Sequence, residues 1–470
     1  MSLTTADSSL LLSRLRDVLP AHAVLADEAS LAAHARDTAP FPDCGIPAVV
    51  VQPATPEQVQ AVLALAYELE VPVVPQGART GVVGAAGAVD GCIVLSTLRM
   101  DRILEIDPGN RLVRCEPGVT TAALNAAAAE HGLAYLPDPA SRDTCTIGGN
   151  IATGAGGICS VKYGATADHV LALDVVLPDG RRMRTGRDTV KGVAGYDLTR
   201  LIVGSEGTLA VVVGASLALR PARPPALSLL AQFSGLAAAG DAVAAITLAG
   251  HMPCALELLD RATSEAVAEL GHPLLRPGSA ATLIVESDAA DPARELSAME
   301  LLCKEAGAEH VVTASTAEES REVMEARRLA VPAVSRYAAT LPGRPTTFIE
   351  EVAVPRCELP KFIGAVEGIA DHHGLRIFTS AHAGDGRVRP VVLFDGADAG
   401  RVARARQARE DIVAAALALG GTSTGTHGIG TLKRDWLARE LDPAGLELHR
   451  GIKRLFDPKN LLNPGKVIEA

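Results

Sequence analysis

Residues 144–157 read Thr-Cys-Thr-Ile-Gly-Gly-Asn-Ile-Ala-Thr-Gly-Ala-Gly-Gly. Glycine reaches positive φ and has no Cβ to hold a ligand away from the main chain. Backbone N–H groups freed in this way form nests for anions such as a diphosphate. An earlier loop has the same character: Pro75-Gln-Gly-Ala-Arg-Thr-Gly-Val-Val-Gly84. One such loop alone reads as a tight turn. Two of them, ordered within a region of mixed helix and strand, read as a cradle for a dinucleotide. No G-x-G-x-x-G follows a strand and no G-x-x-x-x-G-K-[ST] occurs, so the cradle is neither a Rossmann loop nor a P-loop.

Working outward, Thr55 caps a predicted helix over 56–70, with Pro56 at its first position and Gln58 completing a capping-box pattern. Val59, Val62, Leu63, Ala66 and Leu69 share one face of it. Strands are predicted at 48–51 and 71–74 on either side, then at 91–95, 111–115, 170–177 and 209–219. The run PARPP at 221–225 reads as a linker. Beyond it, Ala-rich helices alternate with β runs such as 281–286 and 348–355, the composition of an α+β cap with a mostly antiparallel sheet. Residues 451–466 read as polar and turn-rich, returning to the first domain. The expected division is 1–44 as a helical segment joining the first domain, 45–223 as that domain, 224–420 as the cap, and 421–470 as the returning segment.

The chain has 470 residues, 48% of them hydrophobic and 21% charged, which is a core-forming composition. A formal charge of −11 and aromatics at only 3% argue against a nucleic-acid surface. Eight scattered cysteines contain no C-x-x-C pair, which excludes the usual zinc and iron–sulfur spacings and suggests reduced thiols. Neither a signal peptide nor a spanning segment is read, so the expected location is cytoplasmic, with peripheral docking at the inner face of the membrane left open.

Six segments resemble the FAD-binding domain of the vanillyl-alcohol oxidase superfamily, the PCMH type. They are PQGARTGVVG (75–84), LPDPAS (136–141), CTIGGNIATGAGG (145–157), VKYG (161–164), GYDLTRLIVGSEGTLAVV (195–212) and DPKNLLNPGK (457–466). The likeness spans nearly the whole chain and points to the branch of glycolate oxidase, D-lactate dehydrogenase and D-2-hydroxyglutarate dehydrogenase. It implies an α+β fold: a two-part FAD-binding PCMH-type domain plus an α+β cap. It also implies FAD, with Gln76, Gly77, Ala78, Arg79, Thr80, Gly81, Thr146, Gly148 and Gly149 at the diphosphate. Gly156, Gly157, Glu206, Gly207 and Val211 would surround the adenosine and ring portions, and Asn463 would approach the isoalloxazine. Pro75, Pro139, Ser141, Ala152, Tyr163 and Gly164 complete the implied cofactor contacts. Relatives that bond flavin covalently use a histidine in the first loop; Arg79-Thr80-Gly81 stands there, so non-covalent FAD is expected.

Residues 422–430, Thr-Ser-Thr-Gly-Thr-His-Gly-Ile-Gly, present a histidine on a glycine-hinged loop. Dehydrogenating a 2-hydroxy acid needs a base of near-neutral pKa for the hydroxyl proton, which favours histidine. Taken alone, His427 reads more readily as a helix cap or a backbone partner than as a base; the resemblance places it at the family's catalytic histidine. Arg327, in Glu325-Ala-Arg-Arg-Leu329, aligns with an arginine that relatives set near the substrate, and a guanidinium fork matches a carboxylate.

The branch carries H-x-G-D-G-N-x-H and G-E-H-G, whose two histidines and glutamate hold a divalent metal. This chain reads His382-Ala-Gly-Asp-Gly-Arg-Val-Arg389 and Gly425-Thr426-His427-Gly428. Only His382 remains of the triad. A threonine hydroxyl is a poor ligand for zinc or manganese, and an arginine repels a dication. The expectation is therefore a metal-independent FAD oxidoreductase acting on a D-2-hydroxy acid or related α-hydroxy compound. Arg327, His382, Arg387, Arg389 and Thr426 would meet the substrate. The alternatives are a flavin oxidase of a different alcohol, a non-catalytic FAD-binding subunit of an oxidase complex, and a flavin enzyme using FAD for a non-redox step. Electrons would pass to oxygen, a quinone, a cytochrome or another flavoprotein, and a homodimer is the default assembly.

Overall fold

The computed structural model describes residues 5–39 and 44–469; residues 1–4 and 40–43 of the expected N-terminal segment lie outside the described residues. The chain groups into two compact units. Met1–Gly157, Gly164–Ala222 and Thr426–Ala470 form the first, and Ile158–Tyr163 with Arg223–Gly425 form the second.

In the first unit, strands Val49–Val51 and Val73–Gln76 flank Ile93–Ser96, each parallel to it. Parallel neighbours need a crossover, and the helix Pro56–Leu69 supplies one of them. The Thr55 side chain accepts from the Gln58 N–H at 3.3 Å, and Gln58 Oε1 accepts from the Ala54 N–H at 2.7 Å. Glu70 ends the helix in the left-handed region at φ 56°. Val59, Val62, Leu63 and Ala66 are buried as expected; Leu65 joins them, while Leu69 is only partly covered. Each fully buried Val or Leu contributes about 1.5–3 kcal/mol. A five-stranded antiparallel sheet completes this unit, in the order Ile103–Asp107, Leu112–Cys115, Val211–Ala218, Val170–Val176, Arg182–Gly186.

The second unit is an antiparallel sheet backed by helices, as expected. Leu230, Leu259, Ile284, Phe378 and Leu393 of the sheet pack with Val267, Val323 and Val334 of the helices Arg261–Glu269, Ala317–Arg328 and Ala330–Ala339.

Two expected elements differ. The β run at 348–355 is two strands, Pro345–Ile349 and Val352–Ala353, both paired with Arg387–Asp395. Pro390 lies opposite the gap; it accepts from the Glu350 N–H at 2.9 Å but has no N–H to return. The break sits at two buried carboxylates, Glu350 and Glu351, which bind Arg409 and Arg389. The expected turn-rich start of 451–466 is instead the end of a helix, Pro443–Phe456, capped by Asp442 on the Gly445 N–H at 2.6 Å. Among the described residues, no helix is long and apolar enough to cross a membrane.

Candidate functional site

The two glycine loops meet within the first unit. A Cβ on Gly77 would lie 2.4 Å from Thr146 Oγ1, and one on Gly148 would lie 2.6 Å from Pro117 Cβ. Thr146 caps the helix Ile147–Thr153 by accepting from the Gly149 N–H at 3.3 Å. Pro75, Gln76, Gly77, Gly148, Gly149, Ala152, Glu206, Gly207 and Val211 line one cavity here. Ile202, Ser205, Ala210 and Val212 of the 195–212 segment line it too, with Thr97 and Pro117, which no motif in the sequence marks. They arrive through pairing: the Thr97 N–H donates to Gln76 O at 2.9 Å, and the Gly148 N–H to Pro117 O at 2.8 Å.

Ala78, Arg79, Thr80 and Gly81 follow in the same loop, half-buried, with Gly81 O accepting from the Thr38 N–H and hydroxyl. Arg79 holds φ 58°, and its Nη1 is buried without a partner. Burial pushes its pKa down. A buried guanidinium nitrogen with no partner, on a glycine-built cradle, fits the diphosphate of FAD. Pro139 and Ser141 close a turn through their carbonyls, and Gly157 leaves no room for a Cβ beside Asp138. Gly156 is buried in the same unit, and Gly164 turns at φ 82° against Asp168. Tyr163 belongs to the second unit, where its hydroxyl donates to Asp288 at 2.6 Å.

His427 and Thr426 are half-buried in the first unit. The carboxylate of Glu206 accepts from the Ile429 N–H at 2.6 Å and the Gly430 N–H at 2.8 Å. Burial pushes the Glu206 pKa up to about 7, against those two hydrogen bonds and the charge of Lys433. Asn463 donates to Ala85 O at 3.0 Å and to Glu206 O at 2.8 Å, joining three segments of the unit.

The second unit sets a polar row across three strands. Glu257 pairs in register with His382, and His382 with Arg387. Opposite residues share a face, as does Arg389 two positions along. His382 Nδ1 and Arg327 Nε each lie 2.6 Å from an oxygen of Glu257. A carboxylate only accepts, so Nδ1 carries the hydrogen; Nε2 is buried with no partner. Burial works to raise the Glu257 pKa, but the charges of His382 and Arg327 outweigh it and bring it to about 2. Burial pushes His382 down, with Arg389 and Arg387 adding to the effect against Glu257. Arg389 binds Glu351 through Nε at 2.7 Å, and Arg387 binds Asp385 at 2.8–3.1 Å. Each arginine thus already faces a carboxylate. Glu257 escaped the sequence reading, although its signal is plain: a lone charge inside the apolar strand Ala255–Asp260.

This donor set does not fit a divalent metal. His382 stands beside two guanidinium groups, both oxygens of Glu257 are engaged, and no cluster of three His, Cys, Asp or Glu suited to a metal occurs among the described residues.

Residues 47–186 match the family described as FAD binding domain, and residues 225–467 the family described as FAD linked oxidases, C-terminal domain. The chain belongs to the FAD-linked oxidase family. This FAD-linked oxidase is 38% identical to the glycolate oxidase subunit GlcD of Bacillus subtilis (strain 168) over 424 residues, covering 90% of this chain and 89% of the relative. It is 35% identical to a D-lactate dehydrogenase of Archaeoglobus fulgidus, with 89% and 91% covered. p-Cresol methylhydroxylase shares the fold, with a TM-score of 0.81 over 99% of this chain and 98% of that one at 18% identity. The chain is therefore an FAD-dependent oxidoreductase of the glycolate oxidase and D-lactate dehydrogenase type.

Proposed function

We propose that this flavoenzyme oxidises a D-2-hydroxy acid, or a related α-hydroxy compound, to the 2-oxo product without a divalent metal. In this reading the first unit holds FAD, non-covalently, on Gln76–Gly81 and 146–149, and the second is the cap that contributes substrate contacts. FAD, when bound, supplies the acceptor for the hydride leaving Cα. His427 takes the hydroxyl proton. Arg387, Arg389 and Arg327 hold the carboxylate in this reading, His382 and Thr426 adding hydrogen bonds. One observation carries the proposal: Glu206 lines the cavity of the first unit, and its carboxylate holds the backbone just after His427. In this reading the base belongs to a loop that is tied, through Glu206, to the wall of the cavity.

The test is anaerobic bleaching of the flavin by a panel of D-2-hydroxy acids, with and without EDTA. Bleaching that ignores EDTA and falls by about 10²–10⁴-fold in His427→Ala, at unchanged FAD content, is the expected result. Activity abolished by chelation and restored by zinc or manganese sinks the metal-free part. Acid precipitation should release the yellow colour into the supernatant; colour kept in the pellet would mean a covalent bond.

A second reading is a non-catalytic FAD-binding subunit of an oxidase complex. The Bacillus subtilis relative, a glycolate oxidase subunit, favours it. It predicts FAD binding without reduction by any hydroxy acid and a His427→Ala variant indistinguishable from the parent.

A further inference from the structure

Glu206 stands at an unusual backbone position. Its φ is 53°, its N–H donates to Ala152 O at 2.8 Å, and its carbonyl accepts from Asn463 Nδ2 at 2.8 Å. Both backbone groups are tied, and the side chain extends in one observed direction. That direction ends on the His427 loop, where the two oxygens receive the Ile429 and Gly430 N–H groups at 2.6 and 2.8 Å. Gly428 shows how closely loop and carboxylate fit: it turns at φ 90°, and a Cβ there would lie 2.6 Å from Glu206 Oε1. Successive N–H groups converging on one anion form a nest. Here the anion comes from the protein itself, so both of its oxygens are engaged by the loop.

Resting on the role of His427 proposed above, we propose that Glu206 is a positioning residue for that base: its carboxylate locks the 428–430 backbone and so fixes the direction of the His427 ring. The family resemblance assigned Glu206 to the cofactor. Glu206 still lines the cavity, but its carboxylate oxygens serve the loop. A glutamine keeps the size and one acceptor while turning an amino group towards a backbone N–H, so the clamp opens with little change in packing.

The experiment is a double-mutant cycle of Glu206→Gln and His427→Ala on the full-length holoenzyme, read by FAD stoichiometry, the flavin spectrum and the rate of flavin reduction. Groups acting through one another give non-additive effects, and misplacing a catalytic group by about 1 Å costs about 10²-fold. Glu206→Gln should keep FAD and its spectrum, lose about 10²-fold in kcat with KM little altered, and cost nothing further on a His427→Ala background. Loss of FAD, or an equal fall on both backgrounds, overturns the proposal. Should Glu206→Gln fail to fold, Gly428→Ala perturbs the same contact from the loop side and enters the same cycle. An inactive His427→Ala beside an unaffected Glu206→Gln defeats this inference alone. A fully active His427→Ala defeats the base assignment itself and this inference with it.

Discussion

Glu257 is a fully buried carboxylate in a strand that is otherwise apolar except at its end, and Arg327 and His382 share its two oxygens. Removing one partner of a buried ion pair leaves the other uncompensated, which costs about 3–5 kcal/mol. Glu257→Ala should lose about that much in urea unfolding, whereas Glu257→Leu combined with Arg327→Met should recover most of it. A double variant no more stable than the single one would show that the pair does not act as a unit. The same contact changes how Arg327 is read. A guanidinium aligned with a substrate-binding position carries its own buried counter-ion, so what it offers an anion is directed donors rather than net charge.

At the scale of elements, Asp288 ties the segment Ile158–Tyr163 to the start of the second unit's main run. It receives Lys162, the Tyr163 hydroxyl at 2.6 Å and Arg223 at 2.8 Å. Burial acts to raise its pKa, but these three partners bring it to about 2, below the ordinary value of 3.8. A depressed carboxyl stabilises the fold above its unfolded pKa and loses that contribution as the pH falls through its folded one. The parent should therefore lose stability between about pH 4 and pH 2 relative to Asp288→Asn. Parallel unfolding curves across that range would show that the anchor contributes nothing. Element boundaries were legible where local chemistry sets them. The Thr55-Pro56 start of the first crossover helix is one case. Asp442-Pro443 carries the same signal for the helix Pro443–Phe456, which a reading begun at 451 passes over. The break at Glu350–Glu351 was not legible, because it depends on which strand lies opposite and on Pro390 within it.

Across the whole molecule, the chain's last segment completes the first unit. The Val73 N–H donates to Leu461 O at 2.8 Å, and the Asn463 N–H returns to Val73 O at 2.7 Å. Buried Lys453 donates to Thr208 O, and buried Lys466 to Gly87 O, both at 2.9 Å. A chain stopped after Gly425 leaves those acceptors and the strand Val73–Gln76 bare. It should fail to retain FAD, seen as loss of flavin absorbance in the purified protein. A truncated chain that stays yellow and melts like the parent would refute this.

By itself the sequence marked the two glycine loops, the start of the first crossover helix and the antiparallel cap. Each rests on local information: glycine where backbone must approach, caps at helix starts, alternating apolar residues in strands. The tertiary structure alone decided what each buried carboxylate meets. Glu206 and Ile429 lie 223 residues apart, and Glu257 and His382 lie 125 apart. A carboxylate's partner is fixed by strand register and loop closure, and neither leaves a mark on the neighbouring residues.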